Sequence, residues 1–217
     1  MSMTTTMSRT KKIILKVLGG FVIAYFAVAV LASEGTVVDE KGKPVKGAYI
    51  IAYWSGVIRL PVQPHSTCYN LEATTTDENG RFRVSTFSVN LNPFMFDRHR
   101  SIGVFFPGYT LSPETNRDDL RFVVIPLNGV RSDQFKSVER FYRGGSCGNE
   151  KAQLPMLKAR YAELIKLAET QEEKKISESF LFGIEETEFG RDVAVEKSIQ
   201  RERELKRLSS EADKGGK

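Results

Sequence analysis

Thr75-Thr76-Asp77-Glu78-Asn79-Gly80-Arg81-Phe82-Arg83-Val84-Ser85 is the stretch on which the fold reading turns. Phe82 and Val84 point one way and Arg81, Arg83 and Ser85 the other, the period-two pattern of a half-buried strand. Before them stand Asp77 and the pair Asn79-Gly80, residues that tolerate the left-handed backbone of a tight turn. The stretch therefore predicts a β-hairpin pairing Glu72–Thr76 with Arg81–Thr86. Upstream, Ala48–Trp54 is apolar on both of its faces, as a central strand would be if a sandwich core covered one side and a loop or the C-terminal segment the other. Gly35–Val38 leads into the turn Asp39–Pro44, and Ile102–Phe106 and Phe122–Leu127 add two further apolar runs. Residues 33–128 thus carry strands and turns without helical periodicity between them. The reading is a mainly β chain with a seven-strand-type antiparallel β-sandwich.

The leader decides the solvent in which that sandwich works. The chain has 217 residues, with 32 Lys and Arg against 27 Asp and Glu. Four of those cations, Arg9, Lys11, Lys12 and Lys16, precede an uncharged apolar run from Val17 to Ala32. Without them the charges nearly balance, so no basic face is left to hold nucleic acid. Residues 1–32 read as an export signal cleaved after Ala32, or as a retained anchor joining the chain to the cytoplasmic membrane. Either way the positive flank keeps the N-terminus inside and exports the rest, to the periplasm or the outer face of that membrane.

Four short motifs occur in order: Gly35-Thr-Val-Val-Asp39, Gly42-Lys-Pro-Val-Lys-Gly-Ala48, Thr75-Thr-Asp-Glu-Asn-Gly-Arg-Phe82 and Pro107-Gly-Tyr109. Together they resemble the carboxypeptidase regulatory-like domain, a transthyretin-like (prealbumin-like) sandwich, over about Glu34 to Asn128. Gly42, Pro44, Gly47, Asp77, Asn79, Gly80, Gly108 and Tyr109 carry the resemblance as turn residues. It implies a non-catalytic module with no cofactor. Two insertions depart from the compact version, Gly56–Tyr69 and Ser88–Arg100, and connections beyond about 12 residues usually carry function or are disordered.

Two cysteines in an exported chain meet oxidising conditions, which favours a Cys68–Cys147 disulfide over free thiols or a metal site. His65, Cys68, His99 and Cys147 are nevertheless the residues from which a small hydrolase or zinc protein would be built. Only His65-x-x-Cys68 has ligand-pair spacing, and no His-x-x-Glu or His-Glu-x-x-His motif occurs. Tyr142-Arg-Gly-Gly-Ser146 resembles the Tyr-Arg-Gly-Ser end of transthyretin-like hydroxyisourate hydrolases, with one glycine too many. No catalytic, cofactor-binding or metal-binding residue is assigned on this basis.

Residues 129–149 read as a linker containing Cys147. Helical spacing starts after it, with Leu154, Leu157, Tyr161, Leu164, Ile165 and Ala168 on one stripe. A helical extension is expected over 150–208 and a disordered tail over 209–217. The sandwich up to about Cys147 is expected to fold alone. The functional expectation is a binding or structural module of the envelope, or an adaptor subunit of an envelope complex. It would meet another envelope protein through the inserted loops or the C-terminal helix.

Overall fold

The computed structural model describes residues 32–59, 63–141, 147 and 150–215; the leader, the Tyr142–Ser146 motif and the last two residues lie outside them. Seven strands form two sheets. One contains β1 (Ala32–Asp39), β4 (Arg81–Ser85), β6 (Tyr109–Leu111) and β7 (Arg121–Pro126) in the order β4-β1-β7-β6. The other contains β2 (Tyr49–Ile58), β3 (His65–Thr75) and β5 (Met95–Phe105) in the order β3-β2-β5. Val37, Ile50, Ala52, Trp54, Phe82, Val84, Val104 and Phe122 fill the space between the sheets.

Three topological expectations change. The hairpin is one of them: β3 and β4 belong to different sheets, so the Asp77–Gly80 turn carries the chain across the sandwich. Thr76 supplies the reason. Its buried hydroxyl donates to the Val45 carbonyl at 2.7 Å and accepts from the Ala48 amide at 2.9 Å, which ends the β3 ladder and hooks the turn to the chain before β2. The Gly80 carbonyl then accepts the Val37 amide at 2.8 Å, with φ of +67° and the Val37 carbonyl so near that a side chain at Gly80 would collide with it. The sandwich is also not wholly antiparallel, since β1 pairs parallel to β7. Lastly, strands extend into both insertions: β2 and β3 pair out to Ile58 and His65, and β5 begins at Met95.

The chain is α+β and not mainly β, because four helices span more residues than the strands do. Helix α1 (Arg131–Arg140) occupies the expected linker. A single 3₁₀ turn (Glu150–Gln153) leads into α2 (Leu154–Leu167), where Pro155 sits in the first turn and lacks only a donor that would have no helical partner. Helix α3 (Gln171–Phe189) opens with a capping box between Thr170 and Glu173. Helix α4 (Arg191–Gly215) runs through most of the expected disordered tail and is tied to α3 by a two-pronged Arg201–Glu185 pair at 2.6 and 2.9 Å. No helix among the described residues is long and apolar enough to cross a membrane.

These helices answer what covers the second face of the central strand. Phe135 and Val138 of α1 and Met156, Leu164 and Leu167 of α2 pack on Ile51, Leu71 and Phe105, on the outside of the three-stranded sheet. Ile50 and Ile51, consecutive in β2, are both fully buried, one in each core. Each such side chain contributes about 1.5 to 3 kcal/mol of transfer free energy. The sheet and the helices therefore share a core, and a cut at Cys147 would uncover Ile51, Leu71 and Phe105.

Candidate functional site

Cys68 and Cys147 form a disulfide across 79 residues, with α-carbons 4.8 Å apart. Cys147 is buried in the outer core, so the bond fastens the chain between α1 and the 3₁₀ turn to β3. Loop-closure entropy puts its stabilisation at about 4.5 kcal/mol. It also occupies both sulfurs, so neither is a thiolate for catalysis or zinc in the oxidised protein. Among the described residues no three His, Cys, Asp or Glu side chains are grouped to hold an ion.

His99 and Cys68 do converge, on a residue the sequence did not single out. Ser55 stands opposite Cys68 on one side and opposite His99 on the other, with a register irregularity on each side of it. The Ser55 hydroxyl and His99 Nε2 are 2.9 Å apart, and His99 Nδ1 is 3.1 Å from the Asp97 carbonyl. A carbonyl only accepts, so Nδ1 carries a proton, and in the neutral imidazole Nε2 accepts from the hydroxyl. Asp97 holds a left-handed φ of +49°, and its carboxylate pairs with Arg59 at 3.4 Å. His65 lies farther out, opposite Ile58, and is exposed. A lone serine in an apolar strand carries no periodic signal; only the register brings it to His99.

The turn residues act structurally. Asp77 Oδ1 accepts from the Asn79 and Arg81 amides at 2.9 and 2.8 Å, Pro44 bridges to Val38, and Gly42, Gly47 and Gly108 stand in left-handed turns. Tyr109 starts β6 and packs on Phe106 with ring centroids 4.9 Å apart.

A cleft of about 490 Å³ opens between the 3₁₀ turn, α2 and α3. Leu157, Leu164, Ile176, Phe180 and Ile184 form its apolar lining, and Glu139, Glu150 and Glu186 add carboxylates. At its back lies Arg160, 3% exposed, donating to the Val138 carbonyl at 2.9 Å and to the Glu139 carbonyl, with its guanidinium 4.5 Å over the Phe180 ring. Arg160 thereby ties the end of α1 to α2 and α3 while keeping its charge partnered by carbonyl dipoles and a ring face. Gln153 also lines the cleft; it is 7% exposed, and its Oε1 has no hydrogen-bond partner among the described residues. A buried acceptor left without a donor costs about 1 to 3 kcal/mol. Gly183 forms part of the wall with open space where a side chain would stand. The helical spacing of Leu157 and Leu164 was legible in the sequence; Arg160 was not, because a charged residue beside an apolar stripe reads as solvated.

No family model matches the chain, and no curated protein or solved structure shows significant similarity to it.

Proposed function

We propose that this is an exported, non-catalytic binding module of the carboxypeptidase regulatory-like type, with its partner site in the helical cleft. The observation that carries the reading is the cleft itself, an apolar trough of Leu157, Leu164, Ile176, Phe180 and Ile184 with Glu186 in its wall. That chemistry suits a segment of another envelope protein offering an apolar side chain beside a cationic donor. The leader sequence and the disulfide support an oxidising compartment. The test uses Gly183→Leu, which fills open space in the cleft and favours the helix, so it narrows the site without unfolding it. A photo-crosslinking residue at Ser179 should give a defined adduct in cells that Gly183→Leu abolishes, while the same residue at Lys41 gives none. An adduct indifferent to Gly183→Leu would refute the cleft as the site.

The Ser55–His99 pair favours a second reading, a hydrolase with Ser55 as nucleophile and His99 as base. The near-complete burial of Ser55 weighs against it. A fluorophosphonate probe should leave Ser55 unlabelled; labelling lost in His99→Ala would reverse the order of the two readings.

A further inference from the structure

The loop between β4 and β5 is built inside out. Phe87, Val89, Leu91 and Phe94 in the loop and Phe96 at the start of β5 are all exposed, Leu91 at 88% and Phe94 at 66%. Its polar side chains are used internally instead: Asn90 Oδ1 accepts from the Asn92 amide at 2.8 Å, Asn92 Oδ1 from the Phe94 amide at 2.9 Å, and Arg98 donates to the Asn92 carbonyl at 3.0 Å. The outward apolar side chains therefore sit on a braced loop, and Arg59 lies 5.0 Å over the Phe96 ring. Such a cluster, with Arg59 and Arg98 also exposed beside it, has the composition of a membrane-interface contact.

Its position says what covers it. The first described residue, Ala32, pairs with Ser85, two residues before Phe87. Ser33 and Thr86 hydroxyls are 3.0 Å apart, and Arg100 donates to the Ser33 hydroxyl at 3.1 Å and the Ser85 carbonyl at 2.8 Å. The apolar run Val17–Ala32 thus ends at the base of this loop with no spacer between them. If that run stays in the bilayer, the edge carrying Phe87–Phe96 is held at the headgroups. We infer that residues 87–96 insert their apolar side chains into the bilayer interface, with Arg98 beside the headgroups and Arg59 neutralising Asp97 there, as a second membrane contact beside the leader. The retained anchor would orient this edge toward the bilayer, and the experiment reads anchor and loop separately.

Leu91→Trp places a reporter at the most exposed of these positions, and Lys41→Trp places one on the turn at the opposite end of β1. Each full-length chain is reconstituted in phosphatidylglycerol–phosphatidylethanolamine vesicles containing brominated lipid, with the native Trp54 signal subtracted. The loop reporter of Leu91→Trp should emit to the blue and be quenched several-fold more than the turn reporter of Lys41→Trp. Equal quenching overturns the inference. A blue shift without bromine quenching also overturns it, because a protein or a second copy would then cover the loop. Carbonate extraction reports the anchor independently. A chain that extracts while the loop reporter is quenched supports the loop contact without the anchor, and an unextracted chain with the loop reporter unquenched keeps the anchor and overturns the loop contact alone.

Discussion

Strands β2, β3 and β5 each run through two environments, and their halves differ. Over Tyr49–Trp54, Leu71–Thr75 and Ile102–Phe105 the sheet is covered by the sandwich core beneath and by α1 and α2 above. Over Ser55–Ile58, His65–Cys68 and Met95–Arg100 the helices are gone, the β2 register is irregular, and β3 and β5 carry His65, Asp97, Arg98, His99 and Arg100. The disulfide at Cys68 marks the boundary. Identical backbone pairing therefore supports two chemistries, and what lies on the outer face decides which one the sequence must supply. The covered half carries stability; the uncovered half is free to carry a Ser–His pair, cations and an apolar loop.

Removing the cover is the most drastic way to break this comparison. A chain ending at Cys147 leaves Ile51, Leu71 and Phe105 without α2, so it should aggregate or unfold non-cooperatively; a soluble monomer with an intact β-rich circular dichroism spectrum would show that the cap is dispensable. Next in size, Phe135→Ala should lower unfolding stability by about 3 to 5 kcal/mol, because Phe135 is 1% exposed in the outer core. Phe96→Ala in the uncovered half should stay within about 0.5 kcal/mol. Equal urea midpoints for the two variants would erase the distinction between the halves. Replacing both Cys68 and Cys147 with alanine should cost about 2 to 4 kcal/mol, read as a shift in the denaturation midpoint that reductant reproduces in the parent protein.

The smallest expected effect lies at the start of α3. The backbone amides of Thr170 and Glu169 hold the Glu173 carboxyl below the usual carboxylate range. A carboxyl with a lowered folded value stabilises above its unfolded pKa and loses that contribution as pH falls through the folded one. Glu173→Ala should therefore lower the melting temperature slightly at pH 7, and the difference from the parent should shrink in acid. A difference constant between pH 7 and pH 3 would mean that the carboxylate charge has no part in the cap.

Local signals in the sequence were sufficient for the strands near Gly35–Val38, Arg81–Ser85 and Phe122–Pro126, for the turn residues and for the existence of α2, but not for its buried face, which is Met156, Arg160, Glu163, Leu164 and Leu167 and shares only Leu164 with the expected stripe. Alternation, left-handed turn residues and helical spacing are fixed by neighbours in the chain, so they are readable there. The both-faces-apolar character of Ala48–Trp54 already required a second cover, although nothing local said that helices would provide it. What the tertiary structure decided is the partner of each surface. The turn at Asp77–Gly80 looks the same whether it closes a hairpin or crosses between sheets, and the Thr76 hydroxyl selects the crossing through Val45 and Ala48. Pairing of Ser55 with His99, burial of Arg160 under Phe180 and the meeting of Ala32 with the base of the Phe87 loop join residues 44, 20 and 53 positions apart. No local propensity encodes such encounters. They are fixed by strand register and helix packing, whose free energy comes from burying both faces of one sheet at once.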